Sequence, residues 1–214
     1  MIDLVIVGTR GQARETHAIL ESLVDAGEPW NVLGFVDDAP DSGEVHALPV
    51  VGSIDWLAAR PDVAVAIGIG STGVRAQVVE RITGYGPRLF PTLIHPDASV
   101  GRRVDVGEGT VVCAGTIITT DIQIGAHVLL NFGCTVGHDA VIGDMVTVGP
   151  GAHVSGAVHI GRGTYIGTGA SIIQSVAIGE RAVVGAGAAV IRDVPDDRTA
   201  VGVPARVLDP RDDG

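Results

Sequence analysis

Two periods of apolar and polar positions divide the chain. Up to about residue 90, short apolar runs alternate with longer amphipathic stretches. "LVIVG" (4–8), "VLGFVDD" (32–38) and "VAVAIG" (63–68) read as buried strands, because uninterrupted apolar runs of that length suit a parallel strand covered on both faces. Between and after them, "QARETHAILESLVDAG" (12–27) reads as a helix ended by Gly27, "SIDWLAA" (53–59) as a short helix and "TGVRAQVVERITG" (72–84) as a longer one. Strand and helix in alternation predict an α/β unit of parallel βαβ type, with a ligand crevice at the carboxyl ends of the strands.

From Val100 the period becomes six. An aliphatic residue occupies every sixth position through Val190, and in ten of these sixteen repeats glycine follows directly (101, 107, 125, 137, 143, 149, 161, 167, 179 and 185). Repetition of this kind predicts a β-helix, in which each hexapeptide supplies one short flat strand and a turn and three of them close a triangular coil. The aliphatic residue points inward. The residue four later lines the same narrow interior, as Val104, Thr110, Thr116, Cys134, Ala140, Ala152, Ala170 and Ala188 do. Glycine suits a tight corner, where a side chain would clash or φ must be positive. The division is therefore a Rossmann-like domain over 1–92 and a β-helix with a C-terminal tail over 93–214.

Composition adds limits. Aromatic residues are 3% of the chain while glycine reaches 31, so the core must be filled by Val, Ile, Ala and Thr packed against backbone. A net charge of -11 argues against a nucleic-acid backbone or an anionic membrane surface as partner. No stretch approaches the roughly 18 apolar residues of a membrane helix, and "MIDLVIVG" lacks a basic n-region, so a cytoplasmic location is expected. Cys113 and Cys134 make neither a metal-type pair nor a disulfide framework and are expected to be buried small hydrophobes.

Three stretches hold candidate chemistry. The loop "GTRGQ" (8–12) follows a strand and opens a helix, where backbone N–H groups and the helix dipole receive a phosphate. Arg10 stands where the G-x-G-x-x-G pattern has its second glycine and is a candidate phosphate contact; a plain βα turn at Gly8 is the competing explanation. Asp37 and Asp38 end the second strand, where a dinucleotide fold places an acid on a ribose hydroxyl, and where an acidic turn is the alternative. Gly68, after the third strand, allows backbone to approach the same ligand or is an ordinary loop glycine. Within "NFGCTVGHDAVIGDMVTVGPG" (131–151), His138 and Asp139 set an imidazole beside a carboxylate in an otherwise apolar repeat.

The closing "VVGAGAAVIRDVPDDRTAVGVPAR" (183–206) resembles the terminal motif of the hexapeptide-repeat acyltransferases, whose β-helix is left-handed. With "VGTRGQARE", "GFVDD" and "PTLIHPDA", the whole chain is similar to the sugar O/N-acetyltransferases of the sialic-acid and bacillosamine type. The resemblance implies a homotrimer, acetyl-CoA lying between adjacent β-helices, and an N-terminal domain that holds a nucleotide-linked amino sugar. The family's catalytic histidine and its following acid fall on His138 and Asp139. An imidazole with an ordinary pKa of about 6.5 is a usable base at neutral pH, and a carboxylate beside it fixes the tautomer and stabilises the imidazolium. By the same resemblance the backbone N–H of Gly156, eighteen residues after His138, is the oxyanion contact. Asn131, Thr168 and Ala186 fall where the family meets the pantetheine arm, Arg206 near a CoA phosphate, and Asp37 and Asp38 at the base or ribose of a UDP- or dTDP-sugar.

Two positions depart from the family. Gln12 and Thr147 stand where it often has histidines, which leaves the base intact and the acceptor sugar open. The expected reaction is acetyl-CoA-dependent N-acetylation of a nucleotide-linked 4-amino-4,6-dideoxy sugar by direct attack, since neither cysteine has an activating base beside it. O-acetylation of a sugar such as sialic acid, a non-catalytic sugar-nucleotide-binding protein, and a nicotinamide-dependent oxidoreductase remain as alternatives. A zinc site of the γ-carbonic anhydrase kind is not expected, because no two histidines lie five or eighteen residues apart. His127, His153 and His159 are read as solvated surface residues, and His95 as a packing residue at the domain junction.

Overall fold

The apolar runs of the N-terminal part form the middle of a parallel sheet. In the computed structural model, which describes residues 1–208, this part comprises β1 (Ile2–Val7), α1 (Gly11–Asp25), β2 (Trp30–Val36), the hairpin strands β3 (Glu44–Val45) and β4 (Leu48–Gly52), a 3-10 helix (Ile54–Ala59), β5 (Ala64–Ile67) and α2 (Thr72–Thr83). The sheet order is β3-β4-β2-β1-β5, and β1 pairs in parallel with both β2 and β5. Leu4–Val7 and all of β5 are buried, as central parallel strands require. Contacts divide the chain after Pro96, a few residues beyond the boundary expected at residue 92. Residues 209–214, the end of the tail, lie outside the described residues.

The hairpin was not expected from the pattern. Its turn residues, His46 and Ala47, both have left-handed φ, 48° and 60°, yet neither is the Gly, Asn or Asp that marks such a turn in a sequence. The strands are held by pairing instead: β4 runs antiparallel to β3 and parallel to β2.

The second part is a left-handed parallel β-helix of two- and three-residue strands. Pairing advances by eighteen residues per coil, as in Ile117↔Thr135↔His153↔Ser171↔Ala189 along one face and Gln123↔Val141↔His159↔Ala177 along the next. The third face carries Leu129↔Thr147↔Tyr165↔Val183. From Val112 through Val190 every sixth residue is buried, each inward aliphatic contributing about 1.5–3 kcal/mol of apolar burial. The interior threonines give their hydroxyls to carbonyls of the neighbouring coil: Thr110 to Gly125 at 2.9 Å, Thr116 to Asn131 at 3.1 Å and Thr164 to Gly179 at 2.6 Å.

The corners separate two uses of glycine. The glycines that follow the aliphatic positions do not have positive φ; they are small because coils stack on them. A Cβ on Gly161 would lie 2.5 Å from the Glu180 nitrogen and 2.7 Å from the Gly179 carbonyl carbon. Left-handed φ occurs two residues later, in three columns of eighteen-residue spacing. One column is all glycine (115, 133, 151, 169, 187), one is mixed (Gly109, His127, Met145, Gly163, Arg181) and one has no glycine (Arg103, Asp121, Asp139, Ala157, Ser175). Gly161→Ala is therefore expected to cost about 1–3 kcal/mol through overpacking. Gly133→Ala, with φ of 63° and no atom within 4 Å of the new carbon, should cost about 1 kcal/mol through backbone strain alone. Urea unfolding of the two variants checks the order.

His127 departs from its expected place on the solvated surface. It is 5% exposed, and its ring lies over Gly109, so that a Cβ there would meet its Cε1 at 2.5 Å. The left-handed corner turns this side chain onto the coil beneath. His153 and His159 are exposed, His153 sharing a hydrogen bond with the Thr135 hydroxyl at 3.0 Å.

Candidate active site

The β-helix presents one imidazole at an open corner. His138 follows the strand Thr135–Val136 and Gly137, and Asp139 takes the left-handed corner with φ of 58°. Aspartate tolerates that conformation better than most residues, so the turn is made without glycine. The backbone on both sides is tied to neighbouring coils: the Asp139 N–H donates to the Thr120 carbonyl at 3.3 Å, and the Ala157 N–H to the His138 carbonyl at 2.7 Å.

The side chains pair as a base needs. His138 Nδ1 lies 2.7 Å from Asp139 Oδ2. An ionised carboxylate only accepts, so in the neutral imidazole this contact places the proton on Nδ1 and leaves the lone pair on Nε2. The two side chains are 58% and 64% exposed, open to a reactant. Gly156 lies one coil on, under the ring: a Cβ there would be 2.6 Å from both Nε2 and Cε1. Among the described residues, the Gly156 N–H has no hydrogen-bond acceptor. The basic nitrogen, its orienting carboxylate and an unsatisfied N–H are thus brought together. One coil back, Asp121 occupies the same corner column and is held by Arg103 at 2.5 Å, which keeps its carboxyl below the usual range.

The residues assigned to the pantetheine arm share a different corner of the coil. Thr168 and Ala186 are exposed and stack on successive coils, their nitrogens over Gly149 and Gly167, where a Cβ would come within 2.8 Å and 2.6 Å. Asn131 is 9% exposed and lies two coils back, its Oδ1 accepting from the Phe132 N–H at 2.9 Å. Arg206 stands apart on the terminal hairpin, exposed, with Nη1 3.3 Å from the Ala205 carbonyl. Cys113 and Cys134 are fully buried, and burial pushes the Cys134 thiol up to about 11, far from a nucleophile's range.

The N-terminal unit has a cavity of about 540 Å³ at the carboxyl ends of β1, β2 and β5, and Gly8, Arg10, Asp37, Asp38 and Gly68 all line it. Asp37 braces its rim by accepting from the Thr9 hydroxyl at 2.7 Å and the Ala39 N–H at 2.9 Å. Asp38 accepts from the Ile54 N–H at 3.0 Å and pairs with Arg81 at 2.6 Å. Gly8, with φ of 99°, makes the turn into the helix. Gly68 is bare for packing: its Cβ would lie 2.5 Å from the Ala13 Cα of α1. Arg10 is exposed and 3.7 Å from Asp41.

Sequence reading missed the other wall, Ile69, Gly70 and Ser71, and the buried Arg75 behind it. The available signal was an arginine in step with Val79 and Ile82 on the apolar stripe of α2. Among the described residues no cluster of three or more His, Cys, Asp or Glu could hold a metal ion.

Comparison with known proteins bears on the fold and the family. Residues 3–82 match the PglD N-terminal domain family. UDP-N-acetylbacillosamine N-acetyltransferase of Bacillus subtilis (strain 168) is 39% identical over 118 residues, 53% of this chain and 52% of that protein. The chain thus spans about half the length of this curated relative. Two solved structures are matched over nearly their whole length. The acetyltransferase domain of PglB from Neisseria gonorrhoeae FA1090, in complex with acetyl coenzyme A, is 32% identical with a TM-score of 0.89, over 97% of this chain and 99% of that one. PerB from Caulobacter crescentus, in complex with CoA and GDP-perosamine, is 33% identical with a TM-score of 0.87, over 97% of each. With the hexapeptide β-helix, the PglD-type N-terminal domain and these matches, the chain belongs to the family of acetyl-CoA-dependent sugar N-acetyltransferases.

Proposed function

We propose that the protein transfers the acetyl group of acetyl-CoA to the amino group of a nucleotide-linked 4-amino-4,6-dideoxy sugar, with His138 as general base. The observation that carries this reading is the 2.7 Å contact of His138 Nδ1 with Asp139, which leaves Nε2 basic beside the Gly156 N–H. The sugar amine attacks the thioester carbonyl carbon and Nε2 takes the proton it loses. The carbonyl oxygen, now an oxyanion, accepts from the Gly156 N–H. Collapse breaks the C–S bond, and the thiolate of CoA leaves with the proton from the imidazolium, so no acyl-enzyme is needed.

In the same reading the N-terminal cavity holds the nucleotide, through Arg10 and the Asp37–Asp38 rim. Asn131, Thr168 and Ala186 lie along the pantetheine arm and Arg206 meets a CoA phosphate. The working form is a homotrimer in the cytoplasm, with acetyl-CoA between adjacent β-helices. No described helix is long and apolar enough to cross a membrane. GDP-perosamine in the PerB complex supports a nucleotide-linked amino sugar as the acceptor class.

Thiol release from acetyl-CoA, measured over UDP-, dTDP- and GDP-linked amino sugars and free sialic acid, tests the proposal. Turnover is expected on one amino sugar. Release with sialic acid alone would replace it with O-acetylation, and sugar-nucleotide binding without any turnover would replace it with a binding protein.

A further inference from the structure

Helix α2 carries a charge where its pattern asks for an aliphatic residue. Arg75 shares the inward face with Val79 and Ile82 and is 3% exposed. Burial lowers its pKa to about 10, which leaves the guanidinium protonated at neutral pH. Taking such a group out of water is costly unless its hydrogen-bonding geometry is used.

Its geometry is directed at the cavity wall. Arg75 Nη1 donates to the Ile69 carbonyl at 2.9 Å and the Gly70 carbonyl at 3.1 Å, and both residues line the cavity. In a planar trans peptide the C=O and N–H point opposite ways. Turning the Gly70 carbonyl toward Arg75 therefore turns the Ser71 N–H edge the other way, and both carbonyl oxygens are drawn to Arg75. Two carboxylates, Asp37 and Asp38, also line the cavity, and the cation of Arg10 is 77% exposed beside Asp41. At residues 69–71, two carbonyl oxygens held by Arg75, the Ser71 N–H edge and a fixed buried charge coincide, and a buried charge is little screened by salt.

On the nucleotide-sugar reading, we propose that Arg75 is a positioning residue for the ligand's diphosphate. It holds the Ile69 and Gly70 carbonyls away from the cavity and backs that wall with a charge, without itself touching the ligand. Lysine would keep the charge but has a shorter stem and a different donor geometry from the guanidinium, whose Nη1 serves both carbonyls. Methionine would lose both.

Equilibrium binding of UDP, dTDP and GDP, set against uridine, thymidine and guanosine, tests this in wild type, Arg75→Lys and Arg75→Met, with acetyl-CoA binding and thermal unfolding as controls. In wild type one diphosphate should bind far more tightly than its nucleoside. Arg75→Lys should weaken that diphosphate about tenfold and Arg75→Met about a hundredfold, with nucleoside and acetyl-CoA binding changed by less than about threefold. If Arg75→Met fails to fold, the selective loss in Arg75→Lys carries the result. Equal loss of nucleoside and diphosphate in a folded variant, or no loss of either, would overturn the role. Wild-type protein that binds acetyl-CoA but none of the three diphosphates would overturn the substrate reading itself, and the role of Arg75 with it.

Discussion

His138→Ala should lose acetyl transfer by about 10²–10⁴-fold in kcat while binding acetyl-CoA as before. The side chain is 58% exposed and its backbone contacts are made by main-chain atoms, so truncation leaves the coil intact. Stability should change by no more than about 0.5 kcal/mol. The loss is then a loss of proton transfer, visible as a fall in kcat with the acetyl-CoA dissociation constant unmoved. Steady-state kinetics together with calorimetric titration separate the two. A variant that keeps more than a tenth of wild-type turnover would remove His138 from the base role.

Gly156→Ala should be nearly as damaging, although it adds a single methyl group at a position with no positive φ to strain the new side chain. The methyl would sit 2.6 Å from His138 Nε2 and Cε1, well inside van der Waals contact, so the exposed ring must swing away. The backbone N–H is still present. What is lost is the alignment of base and N–H about one reacting carbonyl, and a displacement of about 1 Å costs on the order of 10²-fold in rate. Activity should fall that far with unchanged acetyl-CoA affinity and a thermal midpoint near wild type. Near-normal turnover would mean that the chemistry does not use the space between Gly156 and the imidazole.

Both predictions depend on a dyad that is legible in the sequence alone. A hexapeptide repeat is a strong signal because each coil repeats the same burial, so one misplaced aliphatic residue would expose itself. That is why the interior from Val112 to Val190 follows the pattern. The adjacency of His138 and Asp139 was equally plain, as neighbours in the chain. The β3–β4 hairpin was hidden because His46 and Ala47 do not look like left-handed turn residues and because β3 has only two residues. Arg75 was hidden because an arginine on a helix is ordinarily solvated, and a linear pattern does not show which residues cover it.

Sequence by itself determined the six-residue register, the change of period between the two parts, and the pairing of one imidazole with one carboxylate. These depend on local spacing and on which faces must be dry. The tertiary structure decided that Gly156 lies against the ring of His138, that the repeat glycines make room for the next coil while left-handed corners fall two residues later, and that Arg75 stands behind the Ile69–Gly70 wall. Each of these depends on which atoms of another coil or another turn come within about 3 Å. That is a matter of close packing between chain segments, which no local pattern of side chains specifies.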